Sequence, residues 1–252
     1  MADATYIVST STTTPIEEIA RAASRPLWFQ VFMQPDREFM RDMLQQVQAA
    51  GVRALCVTVD QAVPGVRNRQ QRSGFKLPTG VTTPYLGAGR NWQGRPVTGN
   101  AFPVTAKDIE WLRSVVRVPV LLKGILHPED AEIAAREGVA GIIVSNHGAR
   151  VLDAAVPSID ALPRIVERVA GRIPILMDGG IRRGTDVVKA LALGANAVLI
   201  GRPYLYGLGA GGANGVARVV NILRREFEMA MALTGKRTIQ SIDRSVIWPG
   251  NA

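Results

Sequence analysis

A chain of 252 residues with a formal net charge of +9 is long enough for one sizeable domain and short for two. Its one cysteine, Cys56, excludes disulfides; no run is apolar for long enough to cross a bilayer, and Met1-Ala2-Asp3-Ala4-Thr5 lacks a basic-then-apolar secretory pattern, so the cytoplasm is the expected compartment. The basic residues are scattered, densest at Arg67-Asn68-Arg69 with Arg72, and form no stripe interleaved with aromatics. The charge therefore points away from nucleic acid and toward small anionic substrates and a phosphate-bearing cofactor.

Short apolar strands alternate with amphipathic helices along the chain. Strands are predicted at 6–9, 27–32, 54–59, 119–123, 141–145, 173–178 and 197–200. Helices are predicted at 16–23, 36–50, 106–115, 128–137, 159–169, 185–193 and 215–233. Gly51, Gly138 and Gly194 supply the left-handed residue that ends three of these helices. Such alternation implies a parallel sheet covered by helices. Polar residues recur where the strands finish: Ser9, Gln30, Asp60, Lys123, His147, Asp178 and Arg202. Strand ends converge on one mouth in a closed barrel, whereas an open sheet gathers ligands at a switch point; no GxGxxG follows the first strand. The reading is an α/β chain, a single TIM (β/α)8-type barrel domain over 1–252, with seven βα units visible and the first unit missing. The connection at about 61–103 is rich in Gly, Pro, Arg and Asn and far exceeds the roughly 15 residues of an ordinary loop, so it is expected to be a lid over the mouth.

Chemistry concentrates at those strand ends. Ser145-Asn146-His147-Gly148-Ala149-Arg150 follows the buried-strand run Gly141-Ile142-Ile143-Val144, and His147 is one of only two histidines. A proton-transferring imidazole next to an arginine fork suits chemistry beside a carboxylate. Asp60 stands where it could orient a histidine, and Lys123 points a lone cation at the mouth. Asp178-Gly179-Gly180-Ile181-Arg182 and Gly201-Arg202 end consecutive strands, where glycines let backbone N–H groups approach a phosphate.

Together these segments closely resemble the FMN-dependent L-2-hydroxy acid oxidase and dehydrogenase family, which includes glycolate oxidase, lactate oxidase, flavocytochrome b2 and mandelate dehydrogenase. The matching stretches run in order through the chain: Phe29-Gln30, Thr58-Val59-Asp60, Leu122-Lys123-Gly124-Ile125, Ser145 to Asp153, Asp178 to Gly184, and Ile200-Gly201-Arg202-Pro203. The resemblance implies FMN as cofactor and oxidation of an L-2-hydroxy acid to the 2-oxo acid, with electrons passing to oxygen or another acceptor. It implies that His147 is the base and Asp60 stabilises its imidazolium, and that Arg67 and Arg150 grip the substrate carboxylate. It puts Lys123 beside the flavin's pyrimidine edge, with Ser9, Gln30 and Thr58 hydrogen-bonding the isoalloxazine. Asp178, Gly179, Gly180, Arg182, Gly201 and Arg202 match the ribityl-phosphate site. No metal is implied, and relatives form tetramers or octamers, so a homo-oligomer is expected. Another phosphate-gripping FMN barrel, such as type 2 isopentenyl diphosphate isomerase, is disfavoured by the Asn146-His147-Gly148 run with Arg150.

Two departures stand out. Phe32 takes the substrate-binding place where the family usually has a tyrosine, two residues after Gln30, and the family's N-terminal helical segment and first βα unit have no counterpart before Ser9. They motivate an alternative reading of a truncated, catalytically weak or inactive flavin-barrel remnant.

Overall fold

The computed structural model describes residues 4–90, 96–98 and 103–248. Every predicted strand is present, trimmed or shifted by a few residues. Strands β1 (Ile7–Ser9), β2 (Trp28–Phe32), β3 (Ala54–Thr58), β6 (Val120–Ile125), β7 (Gly141–Val144), β8 (Ile175–Met177) and β9 (Ala197–Val198) form one sheet, neighbours in chain order and all parallel. Helices α1 (Ile16–Ala22), α2 (Arg37–Ala49), α4 (Ala106–Val115), α5 (Pro128–Arg136), α6 (Ser158–Val169), α7 (Gly184–Ala192) and α8 (Arg202–Leu233) follow those strands in order.

The period-2 alternation of the strands sorts their side chains into two cores. Val8, Phe29, Val31, Leu55, Val57, Leu122, Ile142, Val144 and Met177 face outward and pack with helix residues such as Met40, Leu44, Leu112, Leu162 and Ile165. Ala54, Cys56, Leu121, Ile143 and Leu176 face the other way, joined by Ile7, Trp28 and Leu199. That second cluster contains residues from the first strand and from just past the last, so the sheet curls around a common interior as a barrel wall does. Tyr204, at the start of α8, lies close enough to Tyr6 before β1 that its phenol, pushed up first by burial, is raised further by that neighbour. Among the described residues β1 and β9 remain the two edges of the sheet, so the barrel is open along one seam.

The helix ends follow their capping chemistry. Asp36 Oδ1 accepts from Phe39 N at 3.0 Å to start α2, and Thr105 and Asp108 form a capping box on α4. His127 caps α5, its Nδ1 accepting from Glu129 N at 3.3 Å, so this histidine is spent on a helix terminus.

Two segments depart from the sequence reading. Helix α8 begins at Arg202 rather than 215 and is broken at Gly211 and Gly212; Pro203 suits a first helical turn, and the glycine run after it disguises the helix in the sequence. The long connection also carries structure of its own: α3 (Asn68–Ser73) and a hairpin of β4 (Ala88–Arg90) and β5 (Pro96–Thr98). Residues 91–95 and 99–102 of that expected lid lie outside the described residues. Tyr85 pins the connection to the barrel wall. It is buried edge-on against Phe29, and its hydroxyl accepts from Ile16 N at 2.7 Å. Gln34, also buried, donates to Tyr85 O at 2.9 Å and accepts from Gly87 N at 2.8 Å. Gln34→Ala leaves both backbone groups without partners, a cost of about 1–3 kcal/mol for each buried group. Amide exchange is expected to quicken at Gly87 while α5 and α6 stay protected.

Candidate active site

One step beyond the inner apolar layer, the same alternation puts Ser9, Gln30, Thr58, Lys123, Ser145 and Asp178 on the interior face at the C-terminal mouth. Their hydrogen bonds form two arcs. Ser9 Oγ donates to Gln30 Oε1 at 2.9 Å, and Gln30 Nε2 donates to Thr58 Oγ1 at 2.9 Å. On the strands that follow, Lys123 Nζ donates to Ser145 Oγ at 2.9 Å and pairs with Asp178 Oδ2 at 3.1 Å. Asp178 Oδ1 is buried without a partner among the described residues, an acceptor still open to a donor.

His147 lies just past β7, in a turn whose backbone is unusual. His147, Gly148 and Ala149 have φ of 54°, 63° and 56°, three left-handed residues in succession. The conformation costs roughly 1–2 kcal/mol for each residue with a Cβ, so neighbouring groups must hold it. Ser145 Oγ accepts from His147 N at 3.1 Å, and Asn146 Oδ1 accepts from Gly148 N at 3.0 Å. Ser158 Oγ, buried at the start of α6, accepts from Asn146 N at 3.1 Å. So held, the turn puts His147 Nδ1 2.9 Å from Asp60 Oδ1, with the two side chains 21% and 13% exposed.

Gly124 gives Asp60 its seat. The β6–β7 register slips between Lys123 and Ile125, and Gly124, in that bulge, has φ of 107°. A Cβ there would lie 2.5 Å from Asp60 Cβ and 2.6 Å from its Cγ, so the carboxylate rests on the bare face of the glycine. Asp60 Oδ2 is buried and unpaired among the described residues, leaving His147 as the carboxylate's one hydrogen-bond partner there.

Arg150 lies beyond the turn. Burial holds its guanidinium below the usual arginine range, and the neighbouring charges of Arg67 and Arg202 depress it further. Among the described residues neither Arg67 nor Arg150 has an acidic partner, so the cluster is short of an anion. The Gly65 backbone packs directly on 150–151, where a Cβ would come within 2.5 Å of Arg150 O; this brings the first part of the long connection, with Arg67, to the mouth.

The remaining predicted residues fall around this core. Gly179 and Gly180 have φ of 89° and 78°, and a Cβ on Gly180 or Gly201 would meet open space. Arg182 is exposed, its N–H given to Asp186 Oδ2 at 2.9 Å. Arg202 opens α8, but its guanidinium turns back to donate to Gly148 O at 2.7 Å. Phe32 is buried beside Thr10, whose Oγ1 accepts from Phe32 N at 3.2 Å. Sequence reasoning did not assign Gly124 or Ser158 a part in this geometry. The positive-φ bulge has no local signal beyond the glycine, and Ser158 meets Asn146 only once the intervening loop has folded back.

A curled parallel sheet whose strand ends gather a histidine–carboxylate pair, a lysine and arginines with no acidic partner among the described residues defines an α/β-barrel protein, a class whose ligand sites lie at the C-terminal mouth. The chain belongs to the FMN-dependent dehydrogenase family, whose model matches residues 1–249. A 2-hydroxyacid oxidase of Dictyostelium discoideum is 42% identical over 97% of this chain. An L-lactate oxidase of Nostoc sp. is 44% identical over 96% of it. A crystal structure of mandelate oxidase with (S)-2-phenylpropionate superposes with a TM-score of 0.87 at 40% identity, covering 96% of this chain. The chain spans 65%, 70% and 69% of the lengths of these three proteins. FMN is the cofactor of the family, and the mouth suits it: Asp178 Oδ1 is open to a ribityl hydroxyl, Gly180 and Gly201 leave room for a phosphate, and Lys123 is a nearly buried cation.

Proposed function

We propose that this chain carries the catalytic centre of an FMN-dependent L-2-hydroxy acid oxidase or dehydrogenase, converting a small substrate of the lactate, glycolate or mandelate type to its 2-oxo acid. The His147 Nδ1–Asp60 Oδ1 pair at 2.9 Å, set beside arginines that have no acidic partner among the described residues, carries the reading. Bound FMN supplies the two-electron acceptor from which oxygen or another oxidant is served. Arg67 and Arg150 take the substrate carboxylate as charge-assisted hydrogen bonds. That fixes the hydroxyl-bearing carbon against His147, whose Nε2 is free to accept a proton because Nδ1 is committed to Asp60. The carboxylate of Asp60 stabilises the imidazolium so formed.

Ser9, Gln30 and Thr58 would hydrogen-bond the isoalloxazine, and Lys123 would set a positive charge beside its pyrimidine edge. Asp178 would accept from the ribityl chain. Gly179, Gly180, Arg182, Gly201 and Arg202 would surround the phosphate, and the long connection would serve as a lid whose first part, packed through Gly65 on 150–151, carries Arg67. Exposed Leu205, Tyr206, Leu208, Ile222, Met229 and Leu233 on α8 support a homo-oligomer, a tetramer or octamer as the family resemblance implies. The single buried Cys56 fits the reducing cytoplasm.

The test is anaerobic bleaching of the FMN-loaded protein by L-lactate and L-mandelate. Loss of yellow colour in the wild type and its retention in His147→Ala are expected. A loaded wild-type protein that neither acid bleaches would overturn the proposal.

Phe32 gives the weaker-enzyme reading a specific form. It shares the inward side of β2 with Gln30 but offers no hydroxyl. A hydrogen bond to a charged group is worth about 1.5–3 kcal/mol, so Phe32→Tyr is expected to raise kcat/KM about tenfold or more. An unchanged or lower value would show that Phe32 does not face the substrate.

A further inference from the structure

One side chain ties the turn that carries His147 to the start of α8. Arg202 Nη2 donates to Gly148 O at 2.7 Å, and a Cβ on Gly148 would lie only 3.0 Å from Arg202 Nη1. The guanidinium therefore lies against the bare face of the middle residue of the left-handed turn. The three N–H groups of that turn are already engaged: His147 N by Ser145 Oγ, Gly148 N by Asn146 Oδ1 and Ala149 N by Asn146 O. The Gly148 carbonyl is a point at which a distant part of the chain holds the turn, and among the described residues Arg202 is its partner. The same Arg202 follows Gly201, whose Cβ position is open space, at the first turn of α8, where backbone N–H groups lack helical partners.

An arginine can serve both places at once. Its planar fork carries five N–H donors, of which the Gly148 carbonyl uses one edge, leaving others for an anion at the helix start. A lysine has its three donors on one nitrogen and cannot reproduce that fork.

We propose that Arg202 is a positioning residue for His147: by clasping Gly148 O it locks the 147–149 turn and couples occupation of the anion site at Gly201 to the aim of the imidazole. The base role of His147 and the anion site at Gly201 are taken from the function proposed above, whereas the link itself rests on the Arg202–Gly148 contact and the backbone of the turn.

The chain's two histidines make the test direct, because His127, capping α5, serves as an internal control. Imidazole NMR spectra of the FMN-free protein would be compared among wild type, Arg202→Lys, Arg202→Met and Gly148→Ala, with folding checked by circular dichroism. The His147 resonances are expected to shift or broaden in all three variants while those of His127 stay in place. With FMN added to saturation, Arg202→Lys is expected to bleach about tenfold more slowly at its limiting rate, with a near-unchanged KM, as a misaimed base should. His147 resonances identical to wild type in the FMN-free variants would overturn the link, as would full recovery of the limiting rate once FMN saturates the site. If Arg202→Met does not fold, Gly148→Ala loosens the same contact from the turn side with the arginine intact. A wild type that fails to bleach counts against the proposed function, while the NMR comparison still decides the link.

Discussion

At neutral pH and saturating FMN, His147→Ala is expected to lower the limiting rate of anaerobic bleaching about 10³-fold, within the 10²–10⁴-fold range that a positioned base contributes. The fold should survive, because the ring is partly exposed and its main hydrogen bond goes to one carboxylate. Imidazole added to the medium is expected to restore part of the rate. Asp60→Asn tests the same pair from the other side. An amide can still meet Nδ1 but removes the charge that stabilises the imidazolium, so a loss of about 10²-fold or more is expected with substrate affinity nearly unchanged. A His147→Ala protein bleaching within threefold of wild type would sink the assignment of the base. Losses in Asp60→Asn and His147→Ala should also fail to add in the double variant, since the two residues act as one unit.

Most of this site was legible before folding because a parallel strand reports its own orientation. Alternation makes Ser9, Gln30, Thr58, Lys123 and Asp178 inward-facing as soon as Ile7, Trp28, Cys56, Leu121 and Leu176 are. The starts of α2 and α4, predicted at 36 and 106, fall within one residue of the observed ones, where Asp36 and the Thr105–Asp108 box hold the first turns. What stayed hidden depends on pairs distant in sequence. Tyr85 looks like an ordinary loop aromatic until Phe29, Gln34 and Ile16 surround it. The first half of α8 hides behind its glycines, whose poor helix propensity is overridden once Pro203 and Tyr204 begin a helix beside Tyr6. Arg202 reads as a phosphate ligand from its motif, and only the folded turn shows its guanidinium on Gly148 O.

Gly124 is the clearest case of a residue whose part is set wholly by tertiary contact, and Gly124→Ala should have the second-largest effect. With φ of 107° and a Cβ that would come 2.5 Å from Asp60 Cβ, the variant cannot keep both its backbone and the carboxylate where they are. The clash is with the root of the Asp60 side chain, so a rotamer change does not relieve it. Displacement of a catalytic group by about 1 Å costs on the order of 10²-fold in rate. The expected result is a kcat about 10²-fold below wild type, with the thermal midpoint also lowered by the strained glycine position. A general loss of folding and a specific push on Asp60 are separated by a second background. In Asp60→Gly there is no Cβ to strike, so Gly124→Ala should add little to a rate already reduced by loss of the carboxylate. If Gly124→Ala lowers the rate as steeply in that background as in the wild type, the glycine is acting on the strand end or on Lys123, and its role as the seat of Asp60 is wrong.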